Sequence, residues 1–365
     1  MSTNIQSFAQ YCKQIADGNA QTDHHSFTDA QIKTFINLAH QHRVLPLLVS
    51  DLFKRQLNLI LGDGAVKGPA HYQITNMRIK AQLIELDQHL ASHNIKAVLI
   101  KGAIQLFEPL YPSIGMREMS DIDLLVIDHR FHSAAAELGY QPKSPTVKDK
   151  VDTQGDHLLE WGHSHLIPIL RTNDIVTIEP HLLAVEPRYA HLLPKDFANE
   201  FIGLKSCQSL MQPRKEYALI VSLIHTLLHD RDSLEGALRL RGLIECERMY
   251  EQLTNESKNK LLTHFQNCHA MPFWNAWRAL SDWLFLNDNA ALRRSIAGLL
   301  LIQEFKWRSN SHRIGYVISL LHRLFALFSI QFWTSGFFVR YFLRFTKIDF
   351  WQRLVTRTMA VIKNY

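Results

Sequence analysis

Cysteine is scarce in this chain, and none of it is paired by spacing. Cys12, Cys207, Cys246 and Cys268 are the four in 365 residues, with no CxxC among them. That excludes a zinc ribbon and a disulfide framework and suits a reducing compartment, the cytoplasm. No Gly/Ser-rich or Pro-rich linker divides the sequence, and it shows no internal repeat or low-complexity tract. The N-terminus MSTNIQSFAQ lacks the basic start and apolar core of a signal peptide. Acidic residues are nearly missing from the last stretch. Residues 305–365 carry ten Lys/Arg against Asp349 alone, about +9, so the rest of the chain sums to about −3 although the total is +6. Basic character belongs to the tail and not to the body.

What is present is an ordinary globular composition, 47% hydrophobic and 20% charged, long enough for two or three units with cores of their own. Residues 1–75 read as helices. "FTDAQIKTFINLAHQHRVLPLLVSDLFKRQL" is apolar at helical spacing, with Thr28 or Asp29 as its N-cap. The helical "ITNMRIKAQLIELDQHLASHN" stops at Asn94. The period then changes. "IKAVLIKG" reads as a buried strand running into a helix, "AIQLFEPLY", broken near Pro109 and Pro112. "DIDLLVI" is a second strand, and Asp128 is expected to cap the helix "HRFHSAAAELG". "HLLEW", "HLIPIL" and "IVTIEPH" read as further strands, and helices return from about 191. The expected fold class is α+β: a small mixed sheet flanked by N- and C-terminal helical regions. The expected division is 1–75, N-terminal helices; 76–190, the sheet-bearing core; 191–304, a helical domain; and 305–365, a basic, aromatic-rich tail.

Within "DIDLLV", Asp121 and Asp123 share one strand face, with Cα atoms roughly 6–7 Å apart. Two carboxylates so placed repel unless a cation sits between them. Hard oxygen ligands at a strand end suit Mg²⁺, which completes its shell with water and substrate phosphate. A pair of such ions can hold the attacking and leaving oxygens of a phosphoryl displacement. Three features extend this. Lys101-Gly102 ends the first strand at a helix start, where free N–H groups and a close backbone favour phosphate. Arg117, four residues before Asp121, can reach a triphosphate with its planar fork. Glu179 in "IVTIEPH" shares its face with Thr177 and His181; on a neighbouring strand it becomes a third carboxylate, able to bind metal and to take a proton from an attacking hydroxyl.

With these residues assembled, the chain resembles the nucleotidyltransferase superfamily of DNA polymerase β, and most of all its bacterial uncharacterised nucleotidyltransferase family. Lys101-Gly102, Tyr111-Pro112, Arg117 and "DIDLLV" carry the resemblance, together with "HQHRVLPLL", "VTIEPHLLA" and "HTLLHDRD…LRLRGLIE", over about residues 25–260. It implies Mg²⁺, with two ions expected, and a nucleoside triphosphate, ATP foremost, at the sheet edge. It also implies Asp121, Asp123 and Glu179 as metal-binding and catalytic residues, with Lys101, Gly102 and Arg117 on the nucleotide. The superfamily's usual Gly-Ser is Gly102-Ala103 here, and Glu179 precedes Pro180, which places the strand near an edge or end.

The activity expected is transfer of a nucleoside monophosphate to an acceptor hydroxyl on a protein, sugar, small molecule or RNA, with release of pyrophosphate. Two other readings stand beside it. One is a non-catalytic nucleotide-binding or scaffold protein in surface-polysaccharide or peptide-modification machinery. The other is an HD-type metal phosphohydrolase built on His225, His229, Asp230 and Asp232, whose bland alternative is a polar helix face beside the cleft. Arg239 and Arg241 face solvent or phosphate. His157, His163 and His165 surround an expected hairpin at Gly162 and read as polar surface. In the tail, Leu324–Val339 is uncharged, is shorter than the roughly 20 residues a span needs, and is flanked by basic residues. It suits peripheral contact with the inner membrane face through 313–347, packing on the body, or a nucleic-acid groove.

Overall fold

The computed structural model describes residues 5–19, 28–51, 67–143, 166–230, 238–286 and 295–310, with 288, 314, 317 and 318. The histidines 157, 163 and 165, Asp232, the "HLLEW" segment and nearly all of 313–347 lie outside them.

The fold is α+β, a seven-stranded mixed sheet with helices on both faces. The strands are β1 (Ala97–Leu99), β2 (Asp121–Val126), β3 (Gln141–Pro142), β4 (Ile169–Leu170), β5 (Thr177–His181), β6 (Phe201–Gly203) and β7 (Leu210–Pro213), in the order β3-β4-β5-β2-β1-β7-β6. β2 runs antiparallel to β1 and parallel to β5.

Helix α1 (Ile5–Asp17) leads the chain. The described part of the apolar-periodic stretch after it forms two helices, α2 (Asp29–Gln41) and α3 (Leu45–Asp51). Arg43 between them takes φ +54°, a left-handed turn that ends α2. Thr28 is the N-cap, with a reciprocal capping box to Gln31. Helix α4 (Pro69–Ser92) runs through positions 75–76 without a break and ends before Asn94, which has φ +51°. Its Ile79, Leu83, Leu86 and Leu90 form one stripe, buried against Ala97, Leu99, Ile122, Leu124 and Ile178. Helix α5 (Phe131–Glu137) covers the same sheet face through Phe131, Ala134 and Ala135. Asp128 does not cap α5; its carboxylate accepts the backbone N–H of Arg130 instead, closing the turn before the helix.

The other face, through Val98, Ile100 and Leu125, shares a core with α1–α3 and with the later helices. These are α6 (Lys215–Ile224), which continues into a π turn at His225–His229, α7 (Leu240–Glu251), α8 (Asn255–Asn267), α9 (Met271–Ser281) and α10 (Ile296–Asn310). The stretch after 191, read as helical, also supplies β6 and β7, and β7 lies parallel to β1. Their signal is short: four residues or fewer each, too few for a period to show. Asp87 of α4 registers β7 from beneath, its carboxylate accepting the N–H groups of Gln208, Ser209 and Leu210 at 2.9, 2.8 and 2.7 Å.

Among the described residues, no helix is long and apolar enough to cross a membrane.

Candidate active site

β2 is apolar on both faces for most of its length and charged on one face at its start. Ile122, Leu124 and Val126 enter the core under α4, while Asp121, Asp123 and Leu125 alternate to the opposite side. The parallel register sets Asp123 beside Glu179 and Leu125 beside His181. β5 is an interior strand rather than an edge, but Pro180 sits near its end, beyond the Ile169–Ile178 pair, where its carbonyl still accepts the Leu166 N–H at 2.7 Å.

The buried carboxylate of Asp123 receives two bonds on one oxygen, from Lys101 Nζ at 2.7 Å and His181 Nε2 at 2.8 Å. Burial alone would push its proton affinity up. The Lys101 ammonium and the His181 ring outweigh that and hold Asp123 far below the usual carboxylate range. Burial likewise disfavours the Lys101 ammonium, but Asp123, with Asp121 and Asp230 farther off, raises its pKa. The repulsion expected between Asp121 and Asp123 is therefore answered within the chain by two cationic or hydrogen-bonding partners. Carboxylate oxygens of Asp123 and Glu179 and a ring nitrogen of His181 lie within 4.8 Å of one another, and Asp121 opens onto the same cleft one pleat away. His181 was legible as sharing Glu179's face; its bond to Asp123 was not.

Lys101 begins a 3₁₀ helix, Lys101–Leu106, in place of the longer helix expected over "AIQLFEPLY". Six residues carry only a short dipole, so this turn offers free N–H groups and a lysine rather than a macrodipole. Lys101 has φ +54°, a conformation costly for a side-chain-bearing residue, at the point where the chain leaves β1 and swings Nζ onto Asp123. Ala103, where the superfamily pattern has serine, is buried in the core under α4.

Arg117 sits on a strap pinned to α4. Asn76 donates to the carbonyls of Ile114 and Arg117 at 2.6 and 2.7 Å, and Gly115 lies so close to the Gln73 backbone that a Cβ would approach it at 3.0 Å. The guanidinium lies over Gly102 and donates through Nε to Glu245 Oε1 of α7 at 2.8 Å. It is thus braced against the glycine turn, not extended into solvent. Tyr111 Oη donates to the same Glu245 oxygen at 3.3 Å. Arg241, one turn before Glu245, lies beside this pair. Burial, then the nearby Arg117, lower its pKa to about 10, while Glu245 acts in the other direction.

The far wall is the π turn. His225 and His229 stack with ring centroids 4.8 Å apart. His229 Nε2 contacts Glu186 at 3.1 Å and its Nδ1 faces Asp230 at 3.7 Å. Burial lowers the His229 pKa, but Asp230 and Glu186 prevail and raise it to about 9. Gly242 lets α7 close on this turn, because a Cβ there would overlap Thr226.

One cleft of about 290 Å³ gathers these parts, and Lys101, Gly102, Arg117, Asp121, Asp123 and Glu179 all line it. Arg43, Arg239, Arg241 and the His225–Asp230 segment complete its walls. The histidine–aspartate sequence is therefore a polar helix face on the same cleft as the carboxylates. A separate void of about 10 Å³ behind the Arg117 strap holds one water at most.

No curated protein and no solved structure gives a significant match to this chain. A family model does, over residues 28–285, a span that contains every residue of the cleft. The chain belongs to the family of uncharacterised nucleotidyltransferases.

Proposed function

We propose that this protein is a Mg²⁺-dependent nucleotidyltransferase of the DNA polymerase β-like superfamily, moving a nucleoside monophosphate from a nucleoside triphosphate, ATP foremost, to an acceptor hydroxyl. The observation that carries this reading is the register of β2 on β5. It sets Asp123 against Glu179, with Asp121 on the same face, in a cleft shared with Lys101 and Gly102.

The donor set fits a hard divalent cation, since Asp121, Asp123 and Glu179 offer carboxylate oxygens on one face of two adjacent strands. When bound, such ions neutralise triphosphate charge and align attacking and leaving oxygens. The chain's own groups do the rest. Glu179 accepts the proton of the acceptor hydroxyl as its oxygen bonds to the α-phosphorus and the bond to the leaving pyrophosphate breaks. Lys101, paired with Asp123 at 2.7 Å, would have its ammonium available to the phosphates if a cation took over that carboxylate. The N–H groups at the Gly102 turn and the braced Arg117 hold the same anion. His181 fixes the rotamer of Asp123 through its 2.8 Å contact.

Two observations favour this over the other readings. Ala103 is buried under α4, so the absent serine hydroxyl removes nothing from the present cleft wall. His225, His229 and Asp230 could themselves gather round an ion, but His229 Nε2 is already engaged by Glu186 at 3.1 Å, which makes it a counter-charge in the cleft wall.

The test is incubation of the full chain with each α-³²P-labelled nucleoside triphosphate, with and without Mg²⁺, in lysate. Label in an acceptor and stoichiometric pyrophosphate, both lost in Asp123→Asn, are expected. A Mg²⁺-independent thermal shift with no pyrophosphate would select the non-catalytic nucleotide-binding reading. The cytoplasm is the proposed compartment.

A further inference from the structure

We propose that His89, His93 and Glu137 form a binding site for a divalent transition-metal ion of the zinc class, on the side of the sheet away from the nucleotide cleft. His89 and His93 stand four apart at the end of α4, so their rings lie on one helix face, with centroids 4.6 Å apart. Glu137 arrives from α5. Its Oε2 lies 3.1 Å from His93 Nε2 and 3.5 Å from His89 Nε2. Two imidazole nitrogens and one carboxylate oxygen thus converge within 4.8 Å of each other.

His93 Nδ1 lies 3.1 Å from the carbonyl oxygen of His89 and 3.1 Å from Ser92 Oγ, whose own hydroxyl donates to that carbonyl at 2.7 Å. A carbonyl only accepts, so a bond there puts the proton on Nδ1 and leaves the Nε2 lone pair toward Glu137. A metal-ligating histidine is oriented in this way, its second nitrogen donating to a carbonyl or carboxylate. The His89 Nε2 atom is buried and has no hydrogen-bond partner among the described residues. Bare ring nitrogens facing a carboxylate oxygen at these distances repel unless a proton or a metal cation lies between them. The negative end of α4's dipole, at its last turn, adds to the preference for positive charge.

Two imidazoles and one carboxylate are the donors of a borderline ion, not of Mg²⁺, and three protein ligands leave a fourth position for water. Glu137 is 54% exposed and His93 37%, which gives the ion a way in. A bound ion would clamp α4 to α5 across their shared core.

The test uses tag-free, chelator-treated full chain titrated with Co²⁺ and followed by its visible d–d absorption, then with Zn²⁺ in competition. One equivalent should develop the strong tetrahedral band, be displaced by Zn²⁺, and raise the melting temperature. His93→Ala and Glu137→Ala should each weaken uptake about tenfold or more, with helicity and nucleotide binding unchanged. The same equivalent should survive in Asp123→Asn and in His229→Gln, which separates this site from the cleft. If the Co²⁺ spectrum stays that of the hydrated ion, or if uptake vanishes with the cleft substitutions and persists in His93→Ala, the site does not exist. Neither outcome bears on nucleotidyl transfer.

Discussion

The guanidinium of Arg117 occupies the space where a side chain at Gly102 would be. The glycine therefore does more than relax the backbone of a turn: it makes room for the arginine that joins the turn to Glu245 on α7. Gly102→Ala should push Arg117 out of its ion pair and leave Glu245 under-compensated in a buried setting. The expected loss is about 1–3 kcal/mol of stability, read as a lower melting temperature, together with weaker nucleoside triphosphate binding. An alanine variant that binds and melts like the parent would show that Arg117 has another rotamer available at no cost.

Asp123→Asn should abolish transfer and also destabilise the metal-free protein. On the sequence alone little loss of fold is expected, since removing one of two like charges relieves repulsion. The structure points to a real loss, because Asp123 is the counter-charge of Lys101, whose side chain is only 17% exposed. Leaving that ammonium against a neutral amide costs on the order of 1–3 kcal/mol. Urea denaturation without Mg²⁺ measures it, and a variant as stable as the parent would remove the Lys101–Asp123 pair from the account.

Glu179→Gln should leave triphosphate binding within about threefold and cut turnover by roughly 10²–10⁴, the range for losing a general base. Single-turnover measurement with saturating nucleotide separates the two. Equal loss in binding and turnover would assign Glu179 to holding the metal alone.

His229 supplies a pH signature. Its folded pKa of about 9 lies above the unfolded value near 6.5. Its contribution to stability is therefore fully present below about pH 6.5 and is lost as pH rises through about 9. Glu186, held near 2 because His229 and Arg188 overcome its burial, stays anionic across that window. His229→Gln should flatten the fall in melting temperature between pH 6.5 and 9.5, and salt should weaken the effect because the ring is half exposed. An unchanged slope would place the titrating group elsewhere.

Asp87→Ala removes the acceptor for three backbone N–H groups at the start of β7. A loss on the order of 3 kcal/mol is expected, seen as faster amide exchange at Ser209 and Leu210 before the rest of the sheet. Uniform exchange would mean that β7 does not depend on α4 for its register.

Much of the site could be read in sequence because strands alternate. The spacing of Asp121 and Asp123, and of Thr177, Glu179 and His181, assigns faces without coordinates. The pairing of β2 with β5 was an expectation that the register meets. Other features had no local signal. The bracing of Arg117 by Glu245 joins residues 128 positions apart, and no period reveals such a pair. β6 and β7 are too short to announce themselves, and β7's place beside β1 depends on Asp87, far upstream on α4. The left-handed turn at Lys101 was also hidden, since lysine carries none of glycine's freedom. The joint at Arg43 between α2 and α3 was hidden for the same reason, since arginine too lacks that freedom.

The alternation in β2 has one further consequence. Folding and chemistry use the same strand in opposite phase: Ile122, Leu124 and Val126 anchor it beneath α4, and Asp121 and Asp123 serve the cleft. A one-residue insertion or deletion in this strand would exchange the two sets, driving both acids under the helix and turning the aliphatic anchors outward. The length of β2 is therefore constrained by both roles at once, whereas the strap and the helical walls can lengthen without changing its phase.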